Sequence, residues 1–96
     1  MTPVGCFTIP TDHPSLPGHF PGRPIVPGVL LLDHAITAIL AAKPGRLAGL
    51  PSVKFTRPVR PGQTVLVACA PAAAGRIAFL CSVDGEPVAR GTLALA

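Results

Sequence analysis

Residues 28–43 read GVLLLDHAITAILAAK. Pro27 and Gly28 open the stretch, and Lys43, Pro44 and Gly45 close it. A proline at the first turn and a Pro-Gly pair past the end are helix start and stop signals, so the spacing predicts a helix over 28–42. Val29, Leu30, Leu31, Leu32, Ala35, Ile36, Ala38, Ile39 and Leu40 make that helix apolar nearly all round. A helix with this pattern is expected to be buried. In a chain of 96 residues, only a sheet wrapped around it can bury it.

The flanking sequence supplies the sheet. Val4 to Ile9, Ser52 to Arg57, Gln63 to Ala70, Arg76 to Val83 and Pro87 to Ala96 are strand-like runs. Asp84-Gly85 is a hairpin signal and Pro61-Gly62 a turn signal. The expected architecture is α+β: an antiparallel sheet of about five strands around one long central helix. The length allows one domain, residues 1–96. Six prolines fall between Pro10 and Pro27, with Leu16, Phe20, Ile25 and Val26 among them. These apolar residues favour a packed, proline-braced loop over a linker.

Composition narrows the functions. Apolar residues make up 49% and charged residues 12%, with eight Lys+Arg against four Asp+Glu giving +4. A disordered chain would be less apolar, and a coiled coil would need far more charge. The longest apolar run, Val29 to Ala42, is interrupted by Asp33 and His34 and falls short of the roughly 20 residues of a membrane span. The start, MTPVGCFTIP, lacks the basic and apolar regions of a signal peptide. Cys6, Cys69 and Cys81 lie in apolar runs without CxxC spacing. They read as buried free thiols of a reducing, cytoplasmic compartment, and no Cys/His cluster has metal-ligand spacing. The scattered cations carry no interleaved aromatics, so nucleic acid is not the expected partner. A weak patch for an acidic protein or a phosphate group fits better.

Two residues break the local pattern. Asp33 lies inside the apolar helix, on a stripe with Val29, Ile36 and Leu40. A buried carboxylate must be hydrogen-bonded, protonated or turned to a cavity. His19 sits in the braced loop just before the helix. A histidine and a carboxylate meeting in a dry pocket make a general acid/base pair. Gly28 adds a helix-start N–H that can be approached closely and can polarise a carbonyl oxygen. Each also has a plainer reading: a packing histidine, a satisfied carboxylate, a turn glycine. His13 reads as a loop residue, and His34 projects about 100° from Asp33 around the helix.

The run GHFPGRPIVPGVLLLD, Gly18 to Asp33, resembles the active-site signature of the hotdog-fold 3-hydroxyacyl-[acyl-carrier-protein] dehydratases. VKFTRPVRPGQ, Val53 to Gln63, and the closing VDGEPVARGTLALA are similar to that family's later strand, turn and hairpin. The resemblance implies a hotdog fold and a homodimer with two sites at its interface. It implies that His19 removes the C2 proton of a 3-hydroxyacyl thioester. Asp33, from the partner subunit, protonates the departing C3 hydroxyl, and the Gly28 N–H holds the thioester carbonyl. Phe20 and Val29 join Gly28 as substrate-binding residues beside an apolar tunnel. Arg23, Lys54, Arg57 and Arg60 are the implied contacts for the acidic surface of the acyl carrier protein. No metal or redox cofactor is expected, since eliminating water moves no net electrons.

This chain departs from the housekeeping branch in having Asp33 where that branch has Glu, as accessory dehydratases such as those of aryl polyene synthesis do. The polar residue usual a few positions later is not evident in AITAI, and the segment KPGRLAGLP is short. Two other readings remain. One is a hotdog thioesterase, which would release free thiol. The other is a non-catalytic acyl-binding subunit that pairs with a second hotdog chain as a heterodimer.

Overall fold

The computed structural model describes residues 1–11 and 25–96. His13, His19, Phe20 and Arg23, and the stretch expected to form a proline-braced loop, lie outside the described residues. In chain order the elements are β1 (Thr2–Thr8), α1 (Gly28–Ala42), β2 (Leu47–Phe55), β3 (Thr64–Pro71), β4 (Arg76–Val83) and β5 (Glu86–Leu95). The five strands form one sheet in the order β1-β3-β4-β5-β2, and every neighbouring pair is antiparallel. The expected α+β arrangement of one central helix against a five-strand sheet is what forms.

The central strands show why. In β4, Ile77, Phe79, Cys81 and Val83 are buried while the residues between them are partly exposed. In β3, Val65, Val67 and Cys69 do the same. This period of two puts one apolar face toward the helix. The helix meets it with Leu31, Ala35 and Ile39, four residues apart and fully buried. The hairpin between β4 and β5 turns at Asp84 (φ 51°) and Gly85 (φ 81°). Two consecutive positive φ values match the twist of flanking strands, which Asp-Gly accommodates.

Three expectations need correction. First, β2 begins at Leu47, five residues before Ser52, and ends at Phe55. Gly49 and Pro51 read as loop signals, but β2 is an edge strand. An edge tolerates a missing N–H and a slipped register, and the pairing with β5 indeed shifts between Leu47 and Gly49 and again between Gly49 and Ser52. Second, α1 is not buried all round. Val29, Asp33, Thr37 and Ala41 form one exposed stripe, because the sheet covers one side of the helix in a single chain. Asp33 is therefore exposed, and the half-buried Ile36 and Leu40 do not share its stripe. Third, Cys6 is exposed while Cys69 and Cys81 are buried. Cys6 alternates outward between Gly5 and Phe7 on the edge strand β1.

Candidate active site

The start of α1 is held from below. Val26 N–H donates to the Val59 carbonyl at 2.7 Å, tying the chain entering the helix to the segment that follows β2. Pro27 occupies the N-cap at φ −59° and offers no side-chain hydrogen bond. The first helical bond runs from Leu31 N–H to the Pro27 carbonyl at 3.1 Å. The amides of Gly28, Val29 and Leu30 precede it, so they have no partner within the helix and carry the positive end of its dipole.

Gly28 is glycine for a steric reason. A Cβ on it would lie 2.8 Å from Phe55 Cζ. The absent side chain lets the Phe55 ring rest over the first residue of the helix. Around this contact opens a cleft of about 450 Å³, within the range of small-molecule sites. Ile25, Leu31, Phe55, Pro58 and Val59 give it apolar walls, and Gly28 and Arg57 also line it. An apolar wall beside unpaired helix-start amides can bind an acyl chain and polarise its carbonyl oxygen.

The remaining expected residues scatter. Val29 is 82% exposed and does not line the cleft among the described residues. Asp33 lies one turn further along the same exposed stripe. A single chain therefore does not bring Asp33 and the Gly28 cleft together. Arg57 sits at the cleft with Glu86 at 3.9 Å, both about 60% exposed, a spacing that leaves the guanidinium only loosely engaged. Arg60 is exposed in the turn before β3, where its N–H donates to Gln63 Oε1 at 2.8 Å. Lys54 points to the opposite face of the sheet, because it alternates with the cleft residue Phe55. Lys54 and Arg57, expected in one carrier contact, thus lie apart, Arg57 at the cleft and Lys54 on the other face of the sheet.

His34 stacks on Phe7, with ring centroids 5.0 Å apart and planes at 22°. Phe55 was not among the expected site residues. The alternation in SVKFTR could have flagged it, since Phe55 shares the inward phase of Val53.

A family model described as ApeI dehydratase, of the ApeI-like group, matches residues 2–92. The chain belongs to this family. Among related enzymes of this hotdog dehydratase family, the 3-hydroxyacyl-[acyl-carrier-protein] dehydratase FabZ of Thermus thermophilus is 36% identical over 85% of this chain and 68% of its own length. The FabZ of Acetivibrio thermocellus is 36% identical over 97% of this chain and 73% of its own. The solved dehydratase heterocomplex ApeI:P from Xenorhabdus doucetiae contains a chain that superposes on this ApeI-like fold with a TM-score of 0.78, at 23% identity, over 95% of this chain and 83% of that one. That last likeness establishes the fold. No helix among the described residues is long and apolar enough to cross a membrane.

Proposed function

We propose that this family member dehydrates 3-hydroxyacyl thioesters carried on an acyl carrier protein to trans-2-enoyl thioesters. The observation that carries the reading is the Gly28 helix start opening into the apolar cleft beneath Phe55. The thioester oxygen accepts a hydrogen bond from the Gly28 N–H, which stabilises the negative charge that grows there as the C2–H bond breaks. His19, just before the cleft in the sequence, takes that proton as a neutral base. The electron pair left on C2 forms the C2=C3 double bond as the C3–O bond breaks. Asp33, protonated beforehand, gives its proton to the departing oxygen and water leaves. His19 then returns a proton to Asp33, so the cycle consumes no cofactor.

Asp33 faces away from its own cleft, so its role needs a second hotdog chain laid against the exposed stripe Val29, Asp33, Thr37 and Ala41. The uncovered apolar side chains of Val29 and Phe55 near the helix start, and Leu47 and Leu50 on the edge strand β2, support such a partner. It is either a second copy or a different hotdog subunit. Likeness to a chain of the ApeI:P heterocomplex supports a second reading, in which this chain binds acyl groups and a paired subunit does the chemistry.

The test is water elimination from a panel of 3-hydroxyacyl carrier-protein thioesters, followed by the absorbance of the conjugated enoyl product. Wild type is expected to turn over at least one of them, and His19→Ala and Asp33→Ala to lose at least a hundredfold in kcat. Either variant at wild-type rate refutes its assigned role. Release of free thiol points to a thioesterase, and no turnover by folded wild type points to the accessory subunit.

A further inference from the structure

The end of α1 remote from the cleft carries a second concavity, where three segments far apart in the chain meet. Lys43 caps the helix, its N–H donating to the Ile39 carbonyl at 2.7 Å. The turn between β3 and β4 passes through Ala74 (φ 55°) and Gly75 (φ 74°) and is closed by Ala72 N–H on the Arg76 carbonyl at 2.9 Å. The end of β5 is tied to both: Leu95 N–H donates to the Gly75 carbonyl at 3.1 Å, and Ala96 N–H to the Arg46 carbonyl at 2.8 Å. Between these segments lies a depression of about 410 Å³, within the range of small-molecule sites. Pro71, Ala72, Ile77 and Leu95 line it together with Lys43 and Arg76.

Its charge is one-sided. Lys43, Arg46 and Arg76 are all exposed, and the described carboxylates lie elsewhere. Asp33 is about 15 Å back along the helix from Lys43. Asp84 and Glu86 belong to the β4–β5 hairpin, at the opposite end of β4 from Arg76. Among the described residues the one ion pair is Arg57–Glu86, so no described carboxylate neutralises Lys43 or Arg76. The C-terminus of α1 carries the negative end of the helix dipole, worth about half a charge. Lys43 at the cap offsets it, and Arg76, brought in by β4, is surplus. Apart from these two cations the lining is apolar, with Ile77 buried and Leu95 half-buried.

We propose that this depression is a second ligand site, which takes a single-chain aliphatic carboxylate. The aliphatic chain lies on Pro71, Ile77 and Leu95, and the carboxylate pairs with Arg76 and Lys43. The lining selects this class. A small inorganic anion would meet the cations but gain nothing from the apolar wall, and a neutral aliphatic chain would leave both cations unmatched. A carboxylate accepts charge-assisted hydrogen bonds from a guanidinium, and covering the apolar wall adds the gain of removing it from water. The site is separate from the Gly28 cleft, because the 15 residues of α1 hold the two apart by roughly 22 Å. It is independent of the reaction assigned to that cleft.

A proton–nitrogen correlation spectrum of the whole chain, titrated with decanoate below its micelle-forming concentration, tests this residue by residue. The amides of Gly75, Arg76 and Leu95 are expected to shift together and saturate, whether or not those of Gly28 and Phe55 also move. The affinity read at these amides should fall as salt rises. Arg76→Glu and Lys43→Glu are each expected to weaken it about tenfold or more. Both side chains are exposed, so the rest of the spectrum should keep its folded pattern in the variants. Shifts confined to Gly28 and Phe55 overturn the proposal in favour of the cleft alone, and no saturable shift at any of these amides overturns it outright. Wild-type affinity in both variants overturns it too. Equal binding of decanol would show that no anion is recognised, and equal binding of acetate that no aliphatic chain is, and either result overturns it.

Discussion

Phe79 and Phe55 are the same side chain put to opposite uses. Phe79 lies in the middle strand β4 and is 1% exposed. Its neighbours across the sheet are Cys69 and Gly91, and a Cβ on Gly91 would collide with the Phe79 ring and with the Ser52 carbonyl. Phe55 lies on the edge strand β2 and is 48% exposed. Its ring also needs a glycine, Gly28, but the space around it is an open cleft. The interior strand spends an aromatic ring on the core. The edge strand leaves one partly uncovered, where a ligand can complete its burial.

That contrast is open to attack. Phe79→Ala should cost about 3–5 kcal/mol of stability, the range for emptying a packed core site, and urea unfolding would show it. Phe55→Ala should cost well under half as much, because its ring has less surface to lose from burial. Its larger effect should be a raised KM for acyl thioesters. Equal stability losses in the two variants would erase the distinction between core and cleft.

The Gly28–Phe55 contact can be tested as a pair. Gly28→Ala drives a methyl group into the ring and should lower kcat/KM at least tenfold with a smaller loss of stability than Phe79→Ala. A smaller side chain at Phe55 should restore part of it, so Gly28→Ala combined with Phe55→Leu is expected to be non-additive. Additive losses would mean that the ring does not sit over the helix start in solution.

The thiols sharpen the same comparison with a smaller effect. Cys6 on the edge strand should react quickly with a thiol reagent, and Cys69 and Cys81 only on unfolding. Burial pushes the Cys81 thiol up to about 11. Below the ordinary thiol range both folded and unfolded chains keep this proton, and it does not affect stability. Between that range and about pH 11 the unfolded chain releases the proton while the folded chain holds it. Stability should therefore fall as pH rises through that window, and Cys81→Ala should flatten the slope.

Local signals were readable where the local chain decides the outcome. Pro27-Gly28 and Lys43-Pro44-Gly45 bracketed α1 to the residue, and Asp84-Gly85 marked its hairpin, because φ preferences act within a few residues. β3 and β4 were readable as strand-like runs of Val, Ile, Leu and Phe, but their apolar residues run on without a break, so which face packs on the helix was not. The first half of β2 was not, since Gly49 and Pro51 speak for a loop and only the β5 partner holds them in a strand. Asp33 was expected to be buried from its apolar neighbours, but which side of a helix meets a sheet depends on the whole packing.

The amino-acid order by itself determined the helix, the strands apart from the first half of β2, the glycine at the helix start and the presence of a histidine and a carboxylate on either side of it. Tertiary structure alone decided that Phe55 lies over Gly28, that Asp33 looks away from the cleft, and that Lys43 and Arg76 share one depression at the far end of α1. The reason is physical. Backbone preferences are set by neighbouring residues, whereas each of these placements depends on register and packing between segments far apart in the chain.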